Sequence, residues 1–175
     1  MGSQWLNRHG QLATFGRDEG LVLLGELYGI SSGAQGVLAV GTDIVGLFRG
    51  IAGYTYHANI SVIASVDCEV RIIEGPTVGS SGTEDTVFNQ DRGSTNALHG
   101  TFYSSIIAAS SVVSATGTTL WKQYISAGIA AFGAGQQSIG GMWEFAENTV
   151  YGLLVNPFAA GSFCITMNAQ EHATG

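Results

Sequence analysis

The segment Val87-Phe88-Asn89-Gln90-Asp91-Arg92-Gly93-Ser94-Thr95-Asn96 crowds amides, hydroxyls, a carboxylate and a guanidinium into a chain otherwise poor in them. Such groups could serve catalysis, ligand binding or a structural corner. Arg92 is the strongest donor of the run: its planar head carries five N–H groups, enough to tie carbonyls and a carboxylate together where a strand ladder ends. With Asn89, Asp91 and Ser94 it reads as a structural lock, within one subunit or across a subunit boundary.

Other residues invite sharper chemistry and support it less. Gly29-Ile30-Ser31-Ser32-Gly33 matches the G-x-S-x-G nucleophile elbow around Ser31, but an elbow needs a strand before it and a helix after it. The following Ala34-Gln35-Gly36-Val37-Leu38 reads as another strand, so a Gly/Ser turn is the better reading. His9, His57, His99 and His172 show no metal-ligand spacing with one another or with a cysteine, and read as unliganded. Glu84, Asp85 and Asp91 form an acidic cluster without the D-x-D-x-D-G spacing of a calcium loop, and Arg92 supplies a counter-charge. Glu26, Glu74 and Glu144 could supply a glycosidase carboxylate pair, but nothing in the sequence brings them together. Gly133–Gly141 is Gly-rich without the Lys-Ser/Thr of a phosphate loop. No catalytic residue, metal or cofactor is assigned. Cys68 and Cys164 read as reduced thiols in strand-like runs, a bridge between them being the alternative.

The elements that would position these residues are strands. Residues 54–62 alternate strictly, with Tyr54, Tyr56, Ala58, Ile60 and Val62 on one face and Thr55, His57, Asn59 and Ser61 on the other. Residues 66–72 repeat the pattern and put Glu69 and Arg71 on one face, close enough to pair. Residues 149–156 are apolar on both faces, as in a strand buried on both sides. Residues 162–168 alternate again, and further strands are predicted at 20–28, 36–41, 44–49, 98–104 and 119–125. Residues 101–115 fit strand and loop better than helix, and Gly-rich stretches at 29–36, 79–82, 126–141 and 159–161 are predicted as turns and loops. The sum is an all-β antiparallel sandwich, jelly-roll-like, over residues 21–175, preceded by an extended arm over residues 1–20. Trp5 and Phe15 in that arm are costly to leave in water and are predicted to anchor it along a neighbour.

Composition limits the partners. Of 175 residues only 11% are charged, against roughly 25% in an average soluble domain. The surface must therefore be polar but uncharged, or covered by other subunits; the second is favoured, since large exposed apolar patches mark interaction sites. Net charge is −7 and the six basic residues are scattered singly, which disfavours nucleic acid and anionic membrane. The first ten residues are too polar for a signal-peptide core, and no run reaches membrane-span length, so synthesis in a cytoplasm is expected.

Five segments in order carry a resemblance: Val70–Thr83, Phe88–Asn96, Gly117–Gly128, Met142–Phe158 and Phe163–His172. Together they resemble the β-sandwich decoration, or cement, proteins on the capsid exterior of tailed bacteriophages. In that group an Asn-x-x-Arg-x-Ser-like corner follows an Ile-Glu strand, matched here by Asn89, Arg92 and Ser94. A Trp-x-Leu/Phe-x-x-Asn-Thr-x-Tyr segment then leads into the penultimate strand, matched by Trp143, Phe145, Asn148, Thr149 and Tyr151. The resemblance spans about residues 54–172 and leaves residues 1–50 without a counterpart. It implies a non-enzymatic homotrimer, made in the host bacterial cytoplasm, that binds the major capsid protein on the outer virion surface. Trp143, Phe145 and Tyr151 are expected as core or interface anchors, with Asn148-Thr149 as a turn. The alternative is a trimeric receptor- or glycan-binding fibre module, taking a host-surface glycan as partner; copy number and location on the particle separate the two.

Overall fold

The computed structural model describes residues 4–6, 12–14, 26–31, 35–38, 44–78, 84–103, 113–114, 117–126 and 135–174. Every regular element among them is a strand, so none of them forms a helix that could cross a membrane. In chain order these are β1 (Gln4–Leu6), β2 (Leu12–Thr14), β3 (Leu27–Ser31), β4 (Gln35–Leu38) and β5 (Ile44–Arg49). There follow β6 (Tyr54–Ala64), β7 (Cys68–Glu74), β8 (Thr77–Val78), β9 (Phe88–Asn89) and β10 (Thr101–Tyr103). The chain closes with β11 (Val113–Ser114), β12 (Thr118–Ile125), β13 (Gly135–Phe145), β14 (Val150–Pro157) and β15 (Gly161–Ala173).

Two antiparallel sheets face each other. One runs β10-β5-β14-β7-β12; the other runs β13-β6-β15-β3-β9, with β4 also paired to β15. Tyr56, Ala58, Ile60, Val62 and Ala64 of β6 and Phe163, Ile165, Met167 and Ala169 of β15 enter one core with Cys68, Val70 and Ile72 of β7 and Leu153 and Val155 of β14. Period-2 alternation thus does what it should, sending every second residue between the sheets. Burying Phe145 or Phe163 stabilises by about 1.5–3 kcal/mol each. The chain repeatedly changes sheet: β5, β7 and β14 lie in one, β6, β13 and β15 in the other.

Both ends of the sandwich are stitched. At one end the β5–β6 and β13–β14 connections meet. Gly50 N–H donates to Thr149 O at 3.0 Å, and Gly53 N–H to Glu147 Oε2 at 2.6 Å. Each connection is pinned by a tyrosine five residues on: Ile51 N–H donates to the Tyr56 hydroxyl at 3.3 Å, and Ala146 N–H to the Tyr151 hydroxyl at 3.0 Å. Gly50 is required here, because a Cβ would stand 2.8 Å from Ala146 O. Below the loops the Phe48 ring meets Tyr56 edge-on at 4.8 Å, and Phe145 stacks on Tyr151 at 4.2 Å. At the other end Ser65 N–H donates to Ser162 O at 3.0 Å and Phe158 N–H to Asp67 O at 2.9 Å.

β14 is apolar on both faces because both are covered. Leu153 and Val155 face the main core, while Leu154 packs outward with Leu47 and Ile73 in a second cluster against which Val78 and Tyr103 pack.

Two expectations change. The stretch 126–141, read as loop, contributes Gly135–Gly141 to β13, which pairs with β6. The ladder overrides the poor strand propensity of its glycines, and their trace is an irregularity: Ser138 opposes Ser61, but Met142 already opposes Asn59. Gly141, at φ 90°, takes the left-handed conformation this slip needs. Likewise Gly29, Ile30 and Ser31 belong to β3, held by Asn168, Met167 and Thr166 of β15. Within the segment read as an arm, β1 and β2 pair with each other, Trp5 opposite Ala13. Phe15 lies outside the described residues.

Leu154→Ala should lower stability by about 2–5 kcal/mol despite its outward orientation. Thr166→Ala, on the outer face of β15, should change it by less than about 0.5 kcal/mol. Chemical denaturation of both variants checks this.

Candidate functional site

The polar segment at 87–96 begins as β9, whose Phe88 and Asn89 pair with Gly29 and Tyr28 on the edge of β3. Beyond it the chain closes on itself through short polar side chains. Asp91 N–H donates to Asn89 Oδ1 at 2.9 Å, Gly93 N–H to Asp91 Oδ1 at 2.9 Å, and Asn96 N–H to Ser94 Oγ at 3.1 Å. Asn89 Nδ2 spans the loop to donate to Asn96 O at 3.1 Å. These are Asx- and Ser-type turns, in which a side chain stands in for backbone. Gln90 ties the corner to the sheet: its N–H donates to Leu27 O at 2.9 Å and its amide to Asn168 Oδ1 at 3.1 Å.

Within the single chain the corner is closed by Asn89, Asp91 and Ser94 and not by Arg92. Arg92 is exposed, and its guanidinium lies 5.5 Å over the Phe88 ring instead of gathering the corner's carbonyls. The geometric reason is that Asn89, Asp91 and Ser94 satisfy the loop's N–H groups over two-residue spans, leaving the longer side chain to solvent.

The same loop walls a trough that sequence reasoning missed. On one side of Asn96-Ala97 lies a groove of about 430 Å³, lined by Glu26, Tyr28, Tyr54, His99 and Glu171. On the other lies one of about 400 Å³, lined by Tyr28, Glu84, Asp85, Asn89 and Leu98. By contrast the space between the sheets near Gly46, Phe102 and Met167 is about 10 Å³, too small for a ligand.

Glu171 organises the trough from the end of β15. Its Oε2 accepts from His99 N–H at 3.0 Å, and its Oε1 lies 2.9 Å from His99 Nδ1. This clamp makes Nδ1 the donor and leaves Nε2 facing the Tyr54 hydroxyl, 3.4 Å away. The His99 ring stacks on Tyr54 with centroids 4.2 Å apart. Burial, then the Glu171 and Glu26 carboxylates, push the Tyr28 hydroxyl up to about 12, so it stays a neutral hydrogen-bonding group at any physiological pH. Glu84 and Asp85 follow β8 and bring two more carboxylates; Asp85 N–H donates to Phe102 O at 2.8 Å, and its Oδ2 is sealed from solvent without a donor. Asp91, grouped with these two in the sequence, is spent in the corner turn.

The remaining sequence candidates fall elsewhere. Trp143 packs part-buried on the core, Phe145 and Tyr151 are inside it, and Asn148 at φ 52° makes the turn between β13 and β14. The Tyr151 hydroxyl also donates to Glu74 Oε1 at 3.0 Å. Trp5 stands in β1. Ser31 ends a strand that is followed by another strand, β4, without the helix of a nucleophile elbow. His57 lies 3.8 Å from Glu144 and its ring 4.8 Å from His172, on the outer face of β6 and β15. Among the described residues no three His, Cys, Asp or Glu are grouped to hold a metal ion. Cys68 and Cys164 are both free, and burial pushes the Cys68 thiol up to about 11, which keeps it protonated and unreactive.

A second surface feature stands at the edge of the other sheet. Tyr124 and Phe158 are 61% and 51% exposed, and their rings lie 5.9 Å apart. Beside them Lys122 Nζ is 2.7 Å from Glu69 Oε2, and Arg71 Nε is 3.2 Å from Glu69 Oε1, the pairing that alternation predicted. The hydrogen bond from Lys122 holds the Glu69 carboxyl below its ordinary 4.5, against a smaller opposing effect of burial.

Compared with known proteins, the chain matches no family model, no curated protein and no solved structure.

Two expectations follow. Asn89→Ala should cost about 0.5–1.5 kcal/mol, whereas Arg92→Ala should leave the melting temperature of the isolated chain nearly unchanged; thermal unfolding compares them. Because Glu69 is more acidic folded than unfolded, its stabilisation is complete above its ordinary value of 4.5 and lost as pH falls through the folded value. Lys122→Gln should therefore lower the melting temperature at neutral pH, with the difference shrinking towards zero in acid.

Proposed function

We propose that this chain is a non-enzymatic structural protein of a tailed-phage virion, binding the outer surface of the major capsid protein as a homotrimer and stabilising the shell. The observation that carries the reading is where the resembling segments fall. Val70–Thr83 covers most of β7, Phe88–Asn96 is the self-closed corner, Gly117–Gly128 contains β12, Met142–Phe158 runs from the end of β13 through the Asn148 turn into β14 in the facing sheet, and Phe163–His172 lies in β15. Most of the motif residues then have a building role of the kind a decoration protein needs: Phe145 and Tyr151 in the core, Asn89 and Ser94 in the corner, Asn148 in the turn. The exposed Tyr124–Phe158 pair supports the reading from a different side, since exposed aromatics beside a charged rim are favoured interface anchors. Low net charge density on the surface suits a permanent interface, which runs more apolar than a transient one.

The test is occupancy on particles. Labelled protein counted on purified virions should be found in many copies spread over the head, and Tyr124→Ser with Phe158→Ser should reduce that number at least about tenfold. A handful of copies confined to a tail or vertex would overturn the cement reading.

A further inference from the structure

We propose that the trough around Asn96 and Ala97 is a binding site for a neutral, hydroxyl-rich saccharide. It is a separate surface from the Tyr124–Phe158 pair and does not depend on the shell-binding role.

The chemistry of the walls selects the ligand. Glu26 and Glu171 in one groove and Glu84 and Asp85 in the other are acceptors. The Tyr54 hydroxyl and the Asn96 side chain add groups able to donate and accept, and His99 Nε2 adds an acceptor. The Tyr54–His99 stack is a flat aromatic surface, half exposed at the imidazole, which is 49% accessible. Ala97 and Ala173 leave room beside it. A pyranose fits this combination: its hydroxyls donate to carboxylates, and its C–H face lies on a ring. Each groove is of ligand size, and shared walls at Tyr28, Asn96 and Ala97 join them. The site would therefore take an oligosaccharide in preference to a single sugar.

The walls also say what is excluded. Among the described residues no Lys or Arg lines either groove, so sialylated, sulfated and phosphorylated ligands meet repulsion from the carboxylates there. A cationic peptide would be attracted, but Glu171 is already held by His99 and Tyr28, which blunts that attraction. The site is also preorganised: the Glu171 clamp fixes the imidazole, the stack fixes Tyr54, and the Asn89–Asn96 bond fixes the loop between the grooves.

The test is a glycan array carrying neutral, sialylated and sulfated members, probed with the full chain. Soluble titration of the best neutral member, followed by amide shifts at Asn96, His99 and Gly100, gives the site. Glu26→Gln and Asn96→Ala alter exposed or half-exposed groups and should leave the melting temperature unchanged while weakening binding three- to tenfold each. Tyr54→Phe, which keeps the stack and removes the hydroxyl, should weaken it less. Binding of no neutral glycan, binding of acidic glycans or cationic peptides only, or neutral binding indifferent to Glu26→Gln and Asn96→Ala would each overturn the proposal. Glycan binding by a chain that leaves shells bare would sink the capsid role and leave this site standing.

Discussion

The structure depends on one knot: four aromatic rings and two tyrosine hydroxyls at the end of the sandwich where β5 crosses to β6 and β13 crosses to β14. Phe48, Tyr56, Phe145 and Tyr151 come from both sheets, and their rings meet between them. Two of the same side chains satisfy backbone N–H groups in the crossing loops, at Ile51 and Ala146. A buried hydroxyl without a partner costs free energy, so each tyrosine is useful only when its loop is in place, and each loop is held only when its ring is packed. That mutual requirement fixes where the strands turn, hence the register of β6 against β15 and of β14 against β5. The trough inherits its shape from the same region, since Gly100, just before β10, sits against Phe48 and Tyr56, with no room for a Cβ: one would lie 2.8 Å from the Phe48 ring.

The low charge of the chain has an intramolecular explanation alongside any interface. The outer face of β6 and β15 carries Asn59, Ser61, Thr166 and Asn168, groups that water solvates without formal charge. The outer face of the other sheet is divided. Towards one end it is apolar and covered, at Leu47, Ile73 and Leu154; towards the other it is a charged network at Glu69, Arg71 and Lys122. The exposed aromatics Tyr124 and Phe158 sit beside the network, not within the covered patch.

Much of the sandwich was legible because alternation is a local signal. The inward sets of β6, β7 and β15, the doubly covered β14, the Glu69–Arg71 contact and the Asn148 turn all follow from residues a few positions apart. β13 was hidden because its glycines carry no hydrophobic pattern; only β6, far away in sequence, makes them a strand. The corner was recognised as polar and structural, with Asn89, Asp91, Arg92 and Ser94 as its members; within the single chain the short side chains close it, because two-residue spans suit Asn, Asp and Ser. The trough was illegible for a simpler reason. His99 and Glu171 are 72 positions apart and neither belongs to a motif, so only the pairing of β15 with β3 and β6 brings the carboxylate to the imidazole.

The alternation of strands between sheets also sets an order of events in synthesis. β5 and β7 have no partnership with each other; they are joined through β14, whose two ladders use Val150–Pro157. β6 likewise waits for β13 on one side and β15 on the other, the latter reaching to Ala173. A chain emerging from the ribosome can therefore pair β5 only with β10 and β7 only with β12 until β14 arrives, and β6 only with β13 until β15 arrives. Loop-closure entropy must be met before those distant pairings reward it, so folding should be slow, with one edge of each early strand bare in the interim. A protein with this topology depends on how crowded its birthplace is, and on how quickly the final strands arrive.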